Sequence, residues 1–186
     1  MVAGIGREEY LLSERTSETK HEWRDGETFE VPGVGRAHSQ VQGALAALAI
    51  PAFSGTPYEF NGSDVKVRAG ESYLYPDGTV ALDAAFAEND YVLLNPIVIF
   101  EVLSPSTSGY DRGEKFRRYD AIPSLRDYVL ITTEEPVVEV LSRGEDGWTL
   151  RFFTGLDAVA RIPSVGLDLP LGTLYERILT ATVQSS

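Results

Sequence analysis

The stretch Pro96-Ile97-Val98-Ile99-Phe100-Glu101-Val102-Leu103-Ser104 constrains this chain more than any other. Apolar residues, mostly β-branched or aromatic, meet a single carboxylate and then resume as Val102-Leu103. Pro96 opens the run and Ser104-Pro105-Ser106-Thr107 closes it, the pattern of a strand buried on both faces. Desolvating a carboxylate costs more than the packing of one side chain returns, so Glu101 needs a cation or a proton donor beside it. Either a metal ligand at the end of a central strand or a structural ion pair meets that need.

The rest of the chain alternates between the two periodicities. Residues 7–17 read as a short amphipathic helix, and Asp25-Gly26 signals a hairpin because glycine supplies positive φ at the turn. The Ala/Leu-rich run over 37–52 is the clearest helix, ended by Pro51. Short strands are expected at 57–60, 65–68, 73–75 and 79–82, followed by the strand at 97–103. Residues 111–121 read as a second helix, with Asp111 as N-cap, Glu114 completing a capping box, and Arg118 one turn from Glu114. Strands at 125–132, 137–143 and 149–154 follow, with Gly144-Glu145-Asp146-Gly147 as a hairpin turn. The tail over 162–175 reads as an extended docking segment and a short terminal helix. This order predicts one α/β domain over residues 1–186, α+β mixed, with a mixed, largely antiparallel sheet flanked by helices.

A length of 186 residues supports a sizeable core. With no cysteine, thiolate zinc sites, disulfides and a cysteine nucleophile are excluded, which fits a reducing compartment. The N-terminus lacks the apolar core of a signal peptide and no stretch is long enough to span a bilayer, so a cytoplasmic protein is expected. The net charge of −12 argues against holding nucleic acid across a wide surface. A bound divalent cation, a local basic patch or a second subunit would answer that objection.

Asp77, in Tyr75-Pro76-Asp77-Gly78, precedes Glu101 by 24 positions, ahead of a neighbouring strand. Two carboxylates on adjoining strands can share a hard cation; magnesium takes one or two and keeps several waters. A bare turn aspartate is the other reading. Alternate strand residues share a face, so Leu103 makes the position next to Glu101 apolar. Lys115, near the start of the following helix, is then the nearest candidate to orient water or stabilise charge, unless it is a solvated lysine paired with Asp111. His21 and His38 are too far apart to suggest a zinc pair, though His38 heads a helix and could meet a phosphate. Ser104, Ser106, Thr107 and Ser108 read as turn and cap residues. Arg112, Arg117 and Arg118 with Lys115 form the one local basic cluster, which could meet a DNA backbone or balance Glu114 and Asp120.

The order EWRDG, a histidine-headed helix, PD, EVLSPST and then Asp111, Lys115 and Tyr119 resembles the Uma-two family of restriction-endonuclease-like proteins, within the PD-(D/E)XK nuclease superfamily. The resemblance covers roughly residues 9–128. It implies a restriction-endonuclease-like core, a divalent metal (magnesium or manganese), DNA as substrate and a homodimer. By the same resemblance Asp77 is the aspartate of the PD element and Glu101 the second acid. Lys115 is the lysine moved from the strand to the helix, and Glu22 adds a carboxylate. The Val102 main-chain carbonyl would complete the metal site, and His38 would join Arg112, Arg117 and Arg118 at the DNA. Gly78 departs from the aliphatic residue usual after PD, which predicts a looser loop around Asp77. The function expected is metal-dependent endonucleolytic hydrolysis of DNA. The alternatives are a catalytically silent binding protein on the same scaffold and, less favoured, a carboxylate-pair glycosidase.

Overall fold

The computed structural model describes residues 4–88, 91–105 and 108–183. In chain order the elements are α1 (Arg7–Glu14), β1 (His21–Arg24), β2 (Glu27–Glu30), α2 (Arg36–Ala52), β3 (Tyr58–Gly62), β4 (Lys66–Ala69), β5 (Ser72–Leu74) and β6 (Gly78–Leu82). Then come β7 (Phe86–Ala87), β8 (Val92–Leu93), β9 (Pro96–Leu103), α3 (Ser108–Tyr110), a π-helical turn (Asp111–Lys115) and α4 (Phe116–Asp120). The chain continues through β10 (Asp127–Thr132), β11 (Val137–Gly144), β12 (Gly147–Thr154), β13 (Val159–Ile162), β14 (Leu167–Pro170) and α5 (Leu171–Val183).

The central sheet has the order β12-β11-β10-β9-β6-β3, and a second has the order β2-β1-β5-β4-β8-β7. Among the described residues only β9–β10 and β4–β8 pair in parallel, so the mixed, mostly antiparallel expectation holds. β9 lies between β10 and β6, and its alternation sorts its side chains into two cores. Val98, Phe100 and Val102 pack with Val41, Leu45 and Ala49 of α2 and with Leu174 and Tyr175 of α5. Ile99 and Leu103 join Tyr119, Tyr128 and Leu130 on the opposite face. Glu101 falls on that second face, between two aliphatic neighbours and opposite Leu130 of β10.

Turn chemistry explains the hairpins. Asp25 and Gly26 both take positive φ (53° and 87°), which two-residue turns matching the strand twist require. The second hairpin closes at Gly144 and Gly147, as the glycine spacing predicts. Three expectations need correction. The tail is a β13–β14 hairpin leading into a thirteen-residue helix, because Ala160, Ile162, Leu167 and Leu169 alternate into the α2–α5 core. The helix expected to start at Asp111 begins at Ser108, so Asp111 lies inside it, cannot act as its N-cap, and Glu114 completes no capping box. Helix α2 runs one residue past Pro51, which sits in its last turn. Ser106 and Thr107, expected as turn residues, lie outside the described residues.

Gly78 does not loosen its loop. It pairs with Phe100 in the sheet, and a Cβ there would sit 3.1 Å from two ring carbons of Phe60 and 3.5 Å from Leu45 Cδ2. The missing side chain lets the Phe60 ring and α2 close over the strand that follows Asp77. Gly78→Ala should therefore destabilise the chain by about 1–3 kcal/mol, the usual range for overpacking. Urea unfolding measures this, and adding Phe60→Leu should recover part of the loss.

Candidate active site

One of the crossings between the two sheets is Tyr75, Pro76 and Asp77, between β5 and β6. Tyr75 and Asp77 both turn polar groups toward one point. The Tyr75 N–H donates to Glu22 Oε1 (3.2 Å), and the Asp77 N–H donates to the Phe100 carbonyl (3.0 Å). The Asp77 carboxylate is held from three directions: Oδ2 accepts the Val102 N–H (2.6 Å), Oδ1 lies 2.9 Å from His38 Nε2, and Oδ1 also accepts the Gln42 side-chain amide. His38, Gln42 and Leu45 recur at helical spacing, so one face of α2 supplies both the packing against Gly78 and the grip on Asp77. Within a strand the N–H and C=O of one residue point the same way, so the Val102 carbonyl faces the side of Asp77.

Lys115 completes the centre. Its Nζ donates to both oxygens of Glu101 at 3.0 Å and to the Tyr75 carbonyl at 3.4 Å. It lies 3.5 Å from Glu22 Oε1 and 3.6 Å from Asp111 Oδ1. The π turn carries Asp111 and Lys115, four residues apart, onto one buried face, and Tyr119 follows in line. Such turns are frequent at functional sites. The Tyr119 hydroxyl donates to Glu101 Oε1 (3.0 Å), and the Tyr110 hydroxyl donates to Glu22 Oε2 (3.1 Å). Lys115 is 7% exposed and Glu101 3%, so the lysine is buried rather than solvated, while the Asp111 pair of that alternative is present.

Burial drives the Glu101 carboxyl well above the usual carboxylate range; Lys115 pulls it back, while Asp77 and Asp111 push it up again. Burial acts to lower Lys115, but Glu101, Glu22, Asp111 and Asp77 outweigh it and hold the ammonium above the ordinary lysine range. Burial leads the Glu101 shift, and the four carboxylates that share a pocket with a single lysine together set the direction of the Lys115 shift.

Asp77, Glu101, Lys115, Glu22, His38 and Val102 all line one cleft of about 550 Å³. The proposed basic cluster, by contrast, does not assemble. Arg112 pairs with Glu139, Arg118 with Asp25 (2.6 Å) and Glu114 (2.9 Å), and Lys115 points inward, leaving Arg117 exposed on its own helix face. None of the three arginines lines the cleft. The expected Glu114–Arg118 pair is present. Sequence reasoning missed Gln42, Tyr75, Tyr110 and Arg24 in the cleft region. Gln42 was findable, four positions after His38 on the same helix face; the others depend on how the two sheets meet.

The donor set fits a hard divalent cation, since it offers only carboxylate and carbonyl oxygens around an excess of negative charge. Among the described residues no group of three or more Asp, Glu or His side chains converges closely enough to hold a metal alone. Two carboxylates, a carbonyl and waters make a set magnesium commonly accepts.

A central mixed sheet flanked by helices is the restriction-endonuclease-like class of fold. A crystal structure from Anabaena variabilis, described as "a putative nuclease belonging to DUF820", has that architecture and superposes with a TM-score of 0.74 at 19% identity, covering 90% of this chain and 96% of that one. The chain belongs to the Uma2 family, described as "Putative restriction endonuclease", which matches residues 7–172. Two Synechocystis sp. proteins are similar over most of their length. Slr1290 is 32% identical across 92% of this chain and 91% of its own, and sll1609 is 34% identical across 81% and 88%. No helix among the described residues is long and apolar enough to cross a membrane.

Breaking a buried ion pair from one side leaves an uncompensated charge and costs about 3–5 kcal/mol, whereas removing both charges costs far less. Lys115→Met should therefore lose about that much in urea unfolding, and the double variant Glu101→Gln/Lys115→Met should recover most of it.

Proposed function

We propose that the chain is a divalent-metal-dependent endonuclease hydrolysing DNA phosphodiester bonds, with magnesium or manganese as its metal. The observation that carries this reading is the insertion of Lys115 between Glu101, Glu22 and Asp111 in the cleft that Asp77 also lines. Asp77 and Glu101, with the Val102 carbonyl, would hold the metal. Bound there, the metal would polarise the scissile phosphate and lower the pKa of attacking water.

The remaining roles belong to the protein's own groups. The Val102 N–H, His38 and Gln42 fix the orientation of the Asp77 carboxylate, so no reorganisation is needed when the substrate arrives. Tyr119 sets the rotamer of Glu101. Lys115 orients water at the phosphorus and stabilises negative charge developing on the phosphoryl oxygens. Glu22 supports the site by sharing Lys115 and anchoring Tyr110. Of the four residues proposed for DNA contact, His38 alone lines the cleft. A homodimer, implied by the resemblance, would give the acidic chain a wider surface for its substrate.

The test is nicking of supercoiled plasmid with magnesium or manganese. Glu101→Gln, Asp77→Asn and Lys115→Ala should each lose at least about 100-fold, the scale for removing a preorganised charge-stabilising group. Activity equal to wild type in all three would remove these residues from the mechanism. A silent binding protein is the second reading, favoured by Lys115 engaging both oxygens of Glu101. Titration calorimetry with manganese separates the two: heat that disappears in Asp77→Asn and Glu101→Gln supports the nuclease, and no heat supports the binding protein.

A further inference from the structure

With Arg112 and Arg118 tied to carboxylates, the cleft needs another cation to meet the substrate. Its lining contains one guanidinium, that of Arg24. The Arg24 plane is packed between two rings, with Cζ 3.6 Å from the Phe29 centroid and 4.7 Å from the Tyr110 centroid. Its edges carry two long ion pairs but no hydrogen bond: Nη1 lies 3.6 Å from Glu114 Oε1 and Nε 3.9 Å from Glu22 Oε2, and Nε is buried without a hydrogen-bond partner. Buried donors in folded proteins are nearly always hydrogen-bonded, so a guanidinium fork stacked on two rings, lining the cleft and making only long ion pairs is suited to a closer acceptor from the cleft. That fork matches a phosphate bidentately, and stacking on aromatic faces is a use of arginine that lysine cannot copy.

Arg24 is also next to the chemistry. Glu22 Oε1 lies 3.5 Å from Lys115, and Glu22 Oε2 accepts the hydroxyl of Tyr110, one of the two rings that clamp Arg24. Resting on the nuclease reading above, we propose that Arg24 is the substrate anchor of this cleft, exchanging its long ion pairs for the oxygens of a DNA phosphodiester beside the Glu22–Lys115–Glu101 cluster. It acts by binding and orienting the strand, while Lys115 stays with the reacting phosphate.

The test is binding of a fluorescein-labelled oligonucleotide, single-stranded and duplex, followed by anisotropy across a salt series. Calcium replaces magnesium, since it accepts the same oxygen ligands in a looser geometry. Arg24→Gln keeps the stem between the rings and removes the charge; it should weaken binding about tenfold or more and flatten the salt dependence by roughly one phosphate contact. Arg24→Lys should restore the salt slope but only part of the affinity. Thermal unfolding identifies any variant that has lost its fold, and Arg24→Lys then carries the comparison alone, with undiminished affinity counting against the proposal. Folded Arg24→Gln with wild-type affinity and slope overturns the assignment, and plasmid nicking lost in Lys115→Ala would show the nuclease reading still standing. A wild-type chain that neither binds oligonucleotide nor nicks plasmid overturns both.

Discussion

The ion pair between Glu101 and Lys115 is the constraint to which the neighbouring structure answers. A carboxylate at the heart of a six-stranded sheet is tolerable only with a cation in contact, and Lys115 meets both of its oxygens. Buried pairs seldom stabilise a fold relative to well-packed apolar residues, because desolvation offsets the attraction. Here the same strand position is flanked on its face by Ile99 and Leu103, and an aliphatic residue would pack there without any partner. The pair is costly to hold, and its place in a cleft gives it a use beyond stability.

Holding it requires several elements at once. The π turn aims Lys115 inward and brings Asp111 with it. β1 brings Glu22 from the second sheet, and the three-residue link between the sheets brings Tyr75 and Asp77. One face of α2 then fixes Asp77 while packing on Gly78. The result is a cluster richer in negative than in positive charge inside a chain whose net charge is −12. On the proposed nuclease reading, that balance favours a cation as cofactor and makes each guanidinium in the cleft matter for a polyanionic substrate.

Much of this was legible from residue order because the signals were local. The apolar run at β9, the Asp25-Gly26 turn and the Ala/Leu-rich helix each follow from neighbours a few positions apart. Where longer range decided, local signals misled. Asp111 has the residue type of a cap, yet the chain had already turned helical at Ser108, and its carboxylate was recruited by Lys115 instead. Gly78 looked like a weak point in a loop and is a close-packed strand residue under Phe60. The arginines near Lys115 looked like a shared basic patch, but successive helix positions face different directions and meet different acids.

From sequence alone came the strand that must bury a carboxylate, the acids at 77 and 101, and the lysine on the following helix. The strand and Glu101 follow from hydrophobic pattern and from the cost of an unpaired charge, which any environment imposes; Asp77 and Lys115 were candidates by position, and the family resemblance singled them out. Tertiary structure decided which groups meet these acids: Lys115 from a π turn and Tyr119 behind it at Glu101, His38 and Gln42 from α2 at Asp77, and Arg24, stacked on rings from β2 and the helix start, near Glu22. Such partners are set by through-space approach of elements distant in sequence, and spacing along a chain does not encode that approach directly.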